Sequence, residues 1–119
     1  MREKLRDSGR LEHIIEAIDN AFEFVEGKTF DEYCRNKMLR FAVDRSLHII
    51  GEASYMLSKE LKEQHPEIDW KKIISMRHIM VHGYHHVQDE IVWTTVKERL
   101  PQLKEQINRI INSQKSKID

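Results

Sequence analysis

Apolar residues recur along the chain at steps of three and four, the spacing that gathers side chains on one face of an α-helix. Leu11, Ile14, Ile15, Ile18, Phe22 and Val25 form the first such stripe, and Gly27 offers a left-handed exit behind it. Thr29 and Glu32 read as a capping box that opens a second helical region, with a break expected near Asn36. The stripe continues through Leu39, Val43, Ile50, Ala53, Leu57 and Leu61. It stops at His65 and Pro66, because proline disfavours helical geometry in the residue before it. Asp69 is the expected N-cap of a third helix whose apolar side is Trp70, Ile73, Ile74 and Val81, ended by Gly83. Asp89 is expected to cap a last long helix carrying Val92, Val96, Leu100, Leu103, Ile107 and Ile110, with a kink or break at Pro101.

These stripes predict an all-α protein: an antiparallel bundle of four or five helices in a single domain over residues 1–119, with a polar tail that frays from about residue 113. The best periodicity belongs to Ile14, Ile18, Phe22, Val43, Ile50, Leu57, Ile73, Val96 and Leu103, which are the expected core. Gly51 interrupts the second stripe at a cost of about 1 kcal/mol against alanine. It is either a tolerated glycine or a place where another helix comes close.

Charge changes the picture by what it excludes. Lys plus Arg and Asp plus Glu number 20 each, so the molecule lacks the overall basic excess of a non-specific nucleic-acid binder, and any phosphate site has to be local. The single cysteine, Cys34, excludes an intramolecular disulfide and reads as a small packed side chain rather than a nucleophile. The first residues, MREKLRDSGR, carry no apolar signal-peptide core, and no run approaches the roughly 18 apolar residues of a membrane span. The expectation is a cytoplasmic protein with no membrane partner.

One stretch stands apart. From Trp70 to Gln88 there is no acidic residue, while Lys71, Lys72, Arg77, His78, His82, His85 and His86 all fall there. A phosphate-bearing ligand would meet cations there undiluted by carboxylates. Arg77 and His82 are separated by four residues, and Tyr84 follows two positions later, just beyond Gly83. Spacing alone leaves Arg77 open as a surface ion pair, His82 as a helix-terminal or core histidine and Tyr84 as a core or interface aromatic. Glu52 is either an exposed glutamate or a partner that fixes Arg77 across helices.

Arg77-His78-Ile79-Met80-Val81-His82-Gly83-Tyr84 resembles the RX4HXY motif of the HepT-like toxins, a branch of the HEPN superfamily. Ile49-Ile50-Gly51-Glu52-Ala53, Pro66-Glu67-Ile68-Asp69-Trp70, Val92-Trp93 and Leu100-Pro101 resemble the same family in the same order. Two positions depart from it: the family often has glutamate where His48 stands and asparagine where His78 follows the motif arginine. The resemblance implies a HEPN-like homodimeric bundle and a metal-independent, cofactor-free endoribonuclease with Arg77 and His82 as catalytic pair; the residues themselves offer two supporting candidates, His78, which can replace the hydrogen-bonding role of that asparagine, and Glu52 as a partner of Arg77. The resemblance also implies the toxin of a toxin–antitoxin pair, silenced when a nucleotidyltransferase antitoxin adds AMP to Tyr84.

The residue chemistry suits that implication. An imidazole with a pKa of about 6.5 can take the proton of a ribose 2′-hydroxyl as it attacks its own phosphodiester, and a guanidinium can hold the phosphorane oxygens. On one continuous helix, however, five residues turn through about 140°. Arg77 and His82 then face apart, which favours a two-fold dimer that pools two motifs in one cleft. Two other readings stay open: a non-catalytic module that binds nucleotide or partner with the same residues, and a histidine metal site built from His78, His82, His85 and His86.

Overall fold

The computed structural model describes the backbone of residues 2–78 and 86–118 and the side chains of 6–78 and 88–116. Among these residues the regular structure is helical throughout, with no strand. Helix α1 (Arg2–Val25) buries Leu11, Ile14 and Ile18 completely, as its stripe requires, and Gly27 leaves it at φ 72°. Thr29 Oγ1 accepts the Glu32 N–H at 3.1 Å to start α2 (Phe30–Arg35). Asn36 serves two helices at once. Its N–H closes α2 on the Tyr33 carbonyl, and its Oδ1 accepts the Leu39 N–H at 3.0 Å to open α3 (Lys37–Met56).

Periodicity alone carries this helix on through Leu57 to His65. The chain instead breaks at Leu57, which is extended (φ −61°, ψ 148°), and Ser58 caps a separate α4 (Lys59–Gln64). The cause is tertiary. The Asp7 carboxylate, buried on α1, accepts the Ser58 N–H at 2.9 Å and the Ser58 hydroxyl at 2.6 Å. Arg10, one turn on, donates to the terminal carbonyl of α3 at Met56 (2.7 Å). Two α1 side chains thus satisfy backbone groups that a helix end would otherwise leave unpaired.

Asp69 caps α5 (Trp70–Ile74), accepting the Lys72 N–H at 3.2 Å, as its position predicts. That helix is shorter than its apolar pattern. From Ser75 to His78 the chain tightens into a 3-10 turn, where the Ser75 hydroxyl donates back to the Lys72 carbonyl at 2.6 Å. Val81, Gly83 and the expected helix exit lie outside the described residues.

Helix α6 (His86–Thr94) begins three residues before Asp89, so Asp89 lies in its first turn and is not its cap. A π-helical turn over Thr95–Arg99 follows, and α7 (Leu100–Ile118) runs on from it. Pro101 has no N–H, and its ring clashes with the carbonyl four residues back in a regular α-helix. The wide turn just upstream absorbs that conflict, so the expected break becomes a local widening, and the tail expected to fray stays helical to Ile118.

Helix α3 is the hub, touching α1, α2, α5, α6 and the 3-10 turn, while α1 also lies along α7. Seven of the nine expected core side chains are buried; Phe22 and Ile73 are half-buried against the same apolar cluster. Tyr33, fully buried from α2, packs on Trp93 of α6 at 5.5 Å between ring centroids, with Phe30 on the same indole at 5.9 Å. The 3-10 turn thus packs on α3, and α6 is held on α2.

The Asp7 clamp sets a first test. Asp7→Ala leaves the Ser58 N–H and hydroxyl without their buried acceptor and is expected to cost about 1–3 kcal/mol in urea denaturation. Asp31→Ala, which removes an exposed i,i+4 pair with Arg35, is expected to cost less than about 0.5 kcal/mol. Equal effects would remove the clamp from the account.

Candidate active site

One face of α3 carries His48, Gly51, Glu52 and Tyr55, the i, i+3, i+4 and i+7 positions of a single helical stripe. The 3-10 turn lies across this face, and Arg77 is the residue that meets it. A Cβ placed on Gly51 would stand 2.4 Å from the Arg77 backbone nitrogen and 2.9 Å from its Cβ. Only glycine allows that approach. The cost in helix propensity at Gly51 therefore yields a close backbone contact, the second of the two readings its position left open.

The neighbours then fix the arginine. The Arg77 carbonyl can only accept, so the His48 Nδ1 at 2.9 Å donates to it and must carry a proton. Arg77 Nε donates to His78 Nε2 at 3.1 Å, which makes that nitrogen the unprotonated one. The guanidinium carbon sits 4.0 Å from the centre of the Tyr55 ring, a cation–π contact worth about 0.5–1 kcal/mol on a half-exposed ring. Glu52 Oε1 lies 3.9 Å from Arg77 Nη1, too far for a hydrogen bond, and this pair steers the arginine more than it clamps it. Lys62 also reaches the Tyr55 residue, donating to its carbonyl at 3.2 Å.

The Arg77 side chain remains 23% exposed, and among the described residues only its Nε–H has a hydrogen-bond acceptor. Its Nη groups have no hydrogen-bond acceptor among the described residues and so keep donors for a bidentate grip on phosphate oxygens. One turn before His48, Asp44 is half-buried, and desolvation pushes its carboxyl above the usual aspartate range while the His48 charge pulls it back.

Of the residues singled out by sequence, the structure brings Arg77, His78 and Glu52 together. His82 and Tyr84 lie outside the described residues, as do His85 and the His86 side chain, so the catalytic pair and the metal reading both extend beyond them. His48 and Tyr55 were not recognised as neighbours of Arg77. Their signal was present in the spacing of polar and aromatic residues around Gly51 on one helical face.

A family model described as Ribonuclease HepT-like matches residues 14–110. The chain belongs to the HepT-like ribonuclease family. Within it, the "Probable ribonuclease HepT" of Thermococcus cleftensis is 40% identical over 100 residues, covering 84% of this chain and 91% of that one. A "Putative RNase" of Caldanaerobacter subterraneus subsp. tengcongensis is 37% identical over 105 residues, covering 88% and 94%. Another "Putative RNase", from Methanocaldococcus jannaschii, is 35% identical over 94 residues, covering 79% and 86%. No solved structure matches the chain. The HepT-like match includes α3, the 3-10 turn and α6, so it spans every element that frames Arg77. No helix among the described residues is long and apolar enough to cross a membrane.

The close approach makes Gly51→Ala informative. Alanine gains about 1 kcal/mol of helix propensity but forces the Arg77 backbone off α3, and overpacking of this kind costs about 1–3 kcal/mol. Net destabilisation in chemical denaturation is expected, together with loss of the Arg77–Tyr55 contact in a crystal structure of the variant. A variant more stable than the native chain would show that the turn yields freely.

Proposed function

We propose that this chain is a metal-independent endoribonuclease that acts as the toxin of a toxin–antitoxin pair, with Arg77 and His82 as its catalytic pair. The observation that carries the reading is the seat of Arg77: a cation held on α3 by Gly51, His48 and Tyr55 whose Nη groups have no hydrogen-bond acceptor among the described residues, in a chain of the HepT-like ribonuclease family. In this reading His82 removes the 2′-hydroxyl proton, the oxygen forms a bond to the adjacent phosphorus, and the bond from phosphorus to the 5′-oxygen breaks as that oxygen takes a proton from water. The products are a 2′,3′-cyclic phosphate and a 5′-hydroxyl. Arg77 meets the charge that grows on the non-bridging oxygens. No step draws on a metal or cofactor, and the protein works in the cytoplasm.

The same reading makes the protein a homodimer, in which two motif segments share one cleft. Met38 (83% exposed), Phe41 and Ile91 are large apolar side chains left at the surface of α3 and α6, and a second copy would cover them. Control falls to Tyr84. An AMP group on its hydroxyl, two residues past His82, would bring a phosphate against Arg77 and exclude RNA, which is the electrostatic logic of phosphorylation. A nucleotidyltransferase antitoxin supplies that group.

Arg77→Ala and His82→Ala are each expected to lower RNA cleavage about a hundredfold or more while the fold survives. Cleavage is measured in chelator with end-group analysis of the products. Native rates in either folded variant would overturn the assignment, and 3′-phosphate ends without a cyclic intermediate would overturn the mechanism. For Tyr84→Phe, cleavage is expected to persist, while intact-mass analysis after incubation with the nucleotidyltransferase and ATP shows AMP on the native chain and none on the variant. AMP mapped elsewhere would remove Tyr84 from the control scheme.

A further inference from the structure

A groove of about 440 Å³ runs along the surface between α1 and α3. Its lining brings together Arg10 and His13 from α1 with Arg45 and His48 from α3, and Glu52 is the one carboxylate among its lining residues. Glu52 is also the group beside Arg77, so its charge is already opposed. A groove elsewhere, lined by Asp19, Glu23 and Glu26 with Lys97, has the opposite sign. In a chain with 20 basic and 20 acidic residues this is local segregation of charge, and the cationic side is the one that borders Arg77.

We infer that this groove is a second phosphate subsite, in which Arg45, Arg10 and His13 hold the backbone of a single-stranded RNA on one side of the bond presented to Arg77. The inference rests on the ribonuclease reading above. Continuity carries it: His48 and Glu52 line the groove and also touch Arg77, one through its carbonyl and the other through its guanidinium. A strand lying in the groove reaches Arg77 by crossing α3 at these two residues.

The spacing fits. Arg45 precedes Gly51 by six residues, about 9 Å of helix, which is on the order of one to three nucleotides of strand. Arg45 is exposed, and neither it nor Arg10 pairs with a carboxylate among the described residues. Arg10 spends one donor on the Met56 carbonyl, which fixes its position and leaves the other guanidinium donors for a ligand. Ile49 and Ala53 give the groove an apolar floor against which riboses can lie.

The test reads binding apart from cleavage, with a fluorescein-labelled, fully 2′-O-methylated RNA of about twelve nucleotides that has no attacking hydroxyl. Titration by fluorescence anisotropy across a salt series compares the native chain with Arg45→Ala, Arg45→Lys and His13→Ala. Arg45→Ala is expected to weaken binding roughly fivefold to tenfold and to lower the slope of log affinity against log salt by about 0.7. Arg45→Lys is expected to restore most of both, and a labelled dinucleotide to bind native and Arg45→Ala chains alike. Native affinity and slope in Arg45→Ala would overturn the subsite. So would a chain in which that substitution spares RNA binding and weakens only capture of the nucleotidyltransferase, because the groove would then be a protein-docking surface. The two readings fail separately. Loss of RNA binding in Arg45→Ala with no cleavage of unmodified RNA by the native chain would leave the groove and remove the nuclease. Cleavage with unaltered Arg45→Ala binding would do the reverse.

Discussion

The contact between Gly51 and the Arg77 backbone sets the geometry of everything around the candidate site. At 2.4 Å from a notional Cβ, the 3-10 turn lies closer to α3 than any side chain at position 51 would permit. Because the backbone is that close, His48 can reach the Arg77 carbonyl and Tyr55 can lie under the guanidinium, although each is a full helical turn from the glycine. None of these contacts is strong alone. Together they restrict a long, flexible side chain that would otherwise lose about 2 kcal/mol of rotamer freedom each time it gripped a ligand. Prior ordering of this kind is what a transition-state contact requires.

The rest of the fold supports that contact from a distance. Asp7 and Arg10 end α3 at Met56, immediately after Tyr55, so the C-terminal edge of the arginine's platform is set by α1. Tyr33 and Phe30 of α2 hold Trp93 and with it α6. The same α1 side chain that caps α3 also lines the basic groove. A protein with no net charge thereby presents cations beside its candidate site without an excess of them elsewhere.

Local signals in the sequence were legible and long-range ones were not. Thr29, Asn36 and Asp69 cap helices through atoms within three residues of themselves, and periodicity alone placed Ile14, Val43, Ile50, Val96 and Leu103 in the core. The break at Leu57 was invisible because its cause, Asp7, lies 51 positions from Ser58. At Pro101 the sequence leaves a kink and a break both open, and the chain resolves the conflict with a π turn, since proline announces a conflict but not how the chain meets it. At the site, Arg77 was conspicuous through its motif, and Glu52 was suspected as its partner. His48 and Tyr55 went unassigned because a polar stripe beside a glycine acquires meaning only once the element crossing it is known. The groove was out of reach altogether, for Arg10 and Arg45 meet only through the packing of α1 on α3.

If α3 promotes RNA cleavage by holding Arg77, Tyr55 and Arg77 are coupled in a double-mutant cycle between Tyr55→Leu and Arg77→Lys. Lysine keeps the charge but has neither the planar fork nor the stacking surface, so Arg77→Lys retains measurable cleavage without the contact to Tyr55. The measurement is single-turnover cleavage of one defined RNA by all four chains. Tyr55→Leu is expected to slow cleavage about tenfold when residue 77 is arginine and to change it less than about twofold in the Arg77→Lys background, a coupling on the order of 1 kcal/mol. Equal losses in both backgrounds would contradict it, since Tyr55 would then act on the RNA or the fold and not through Arg77.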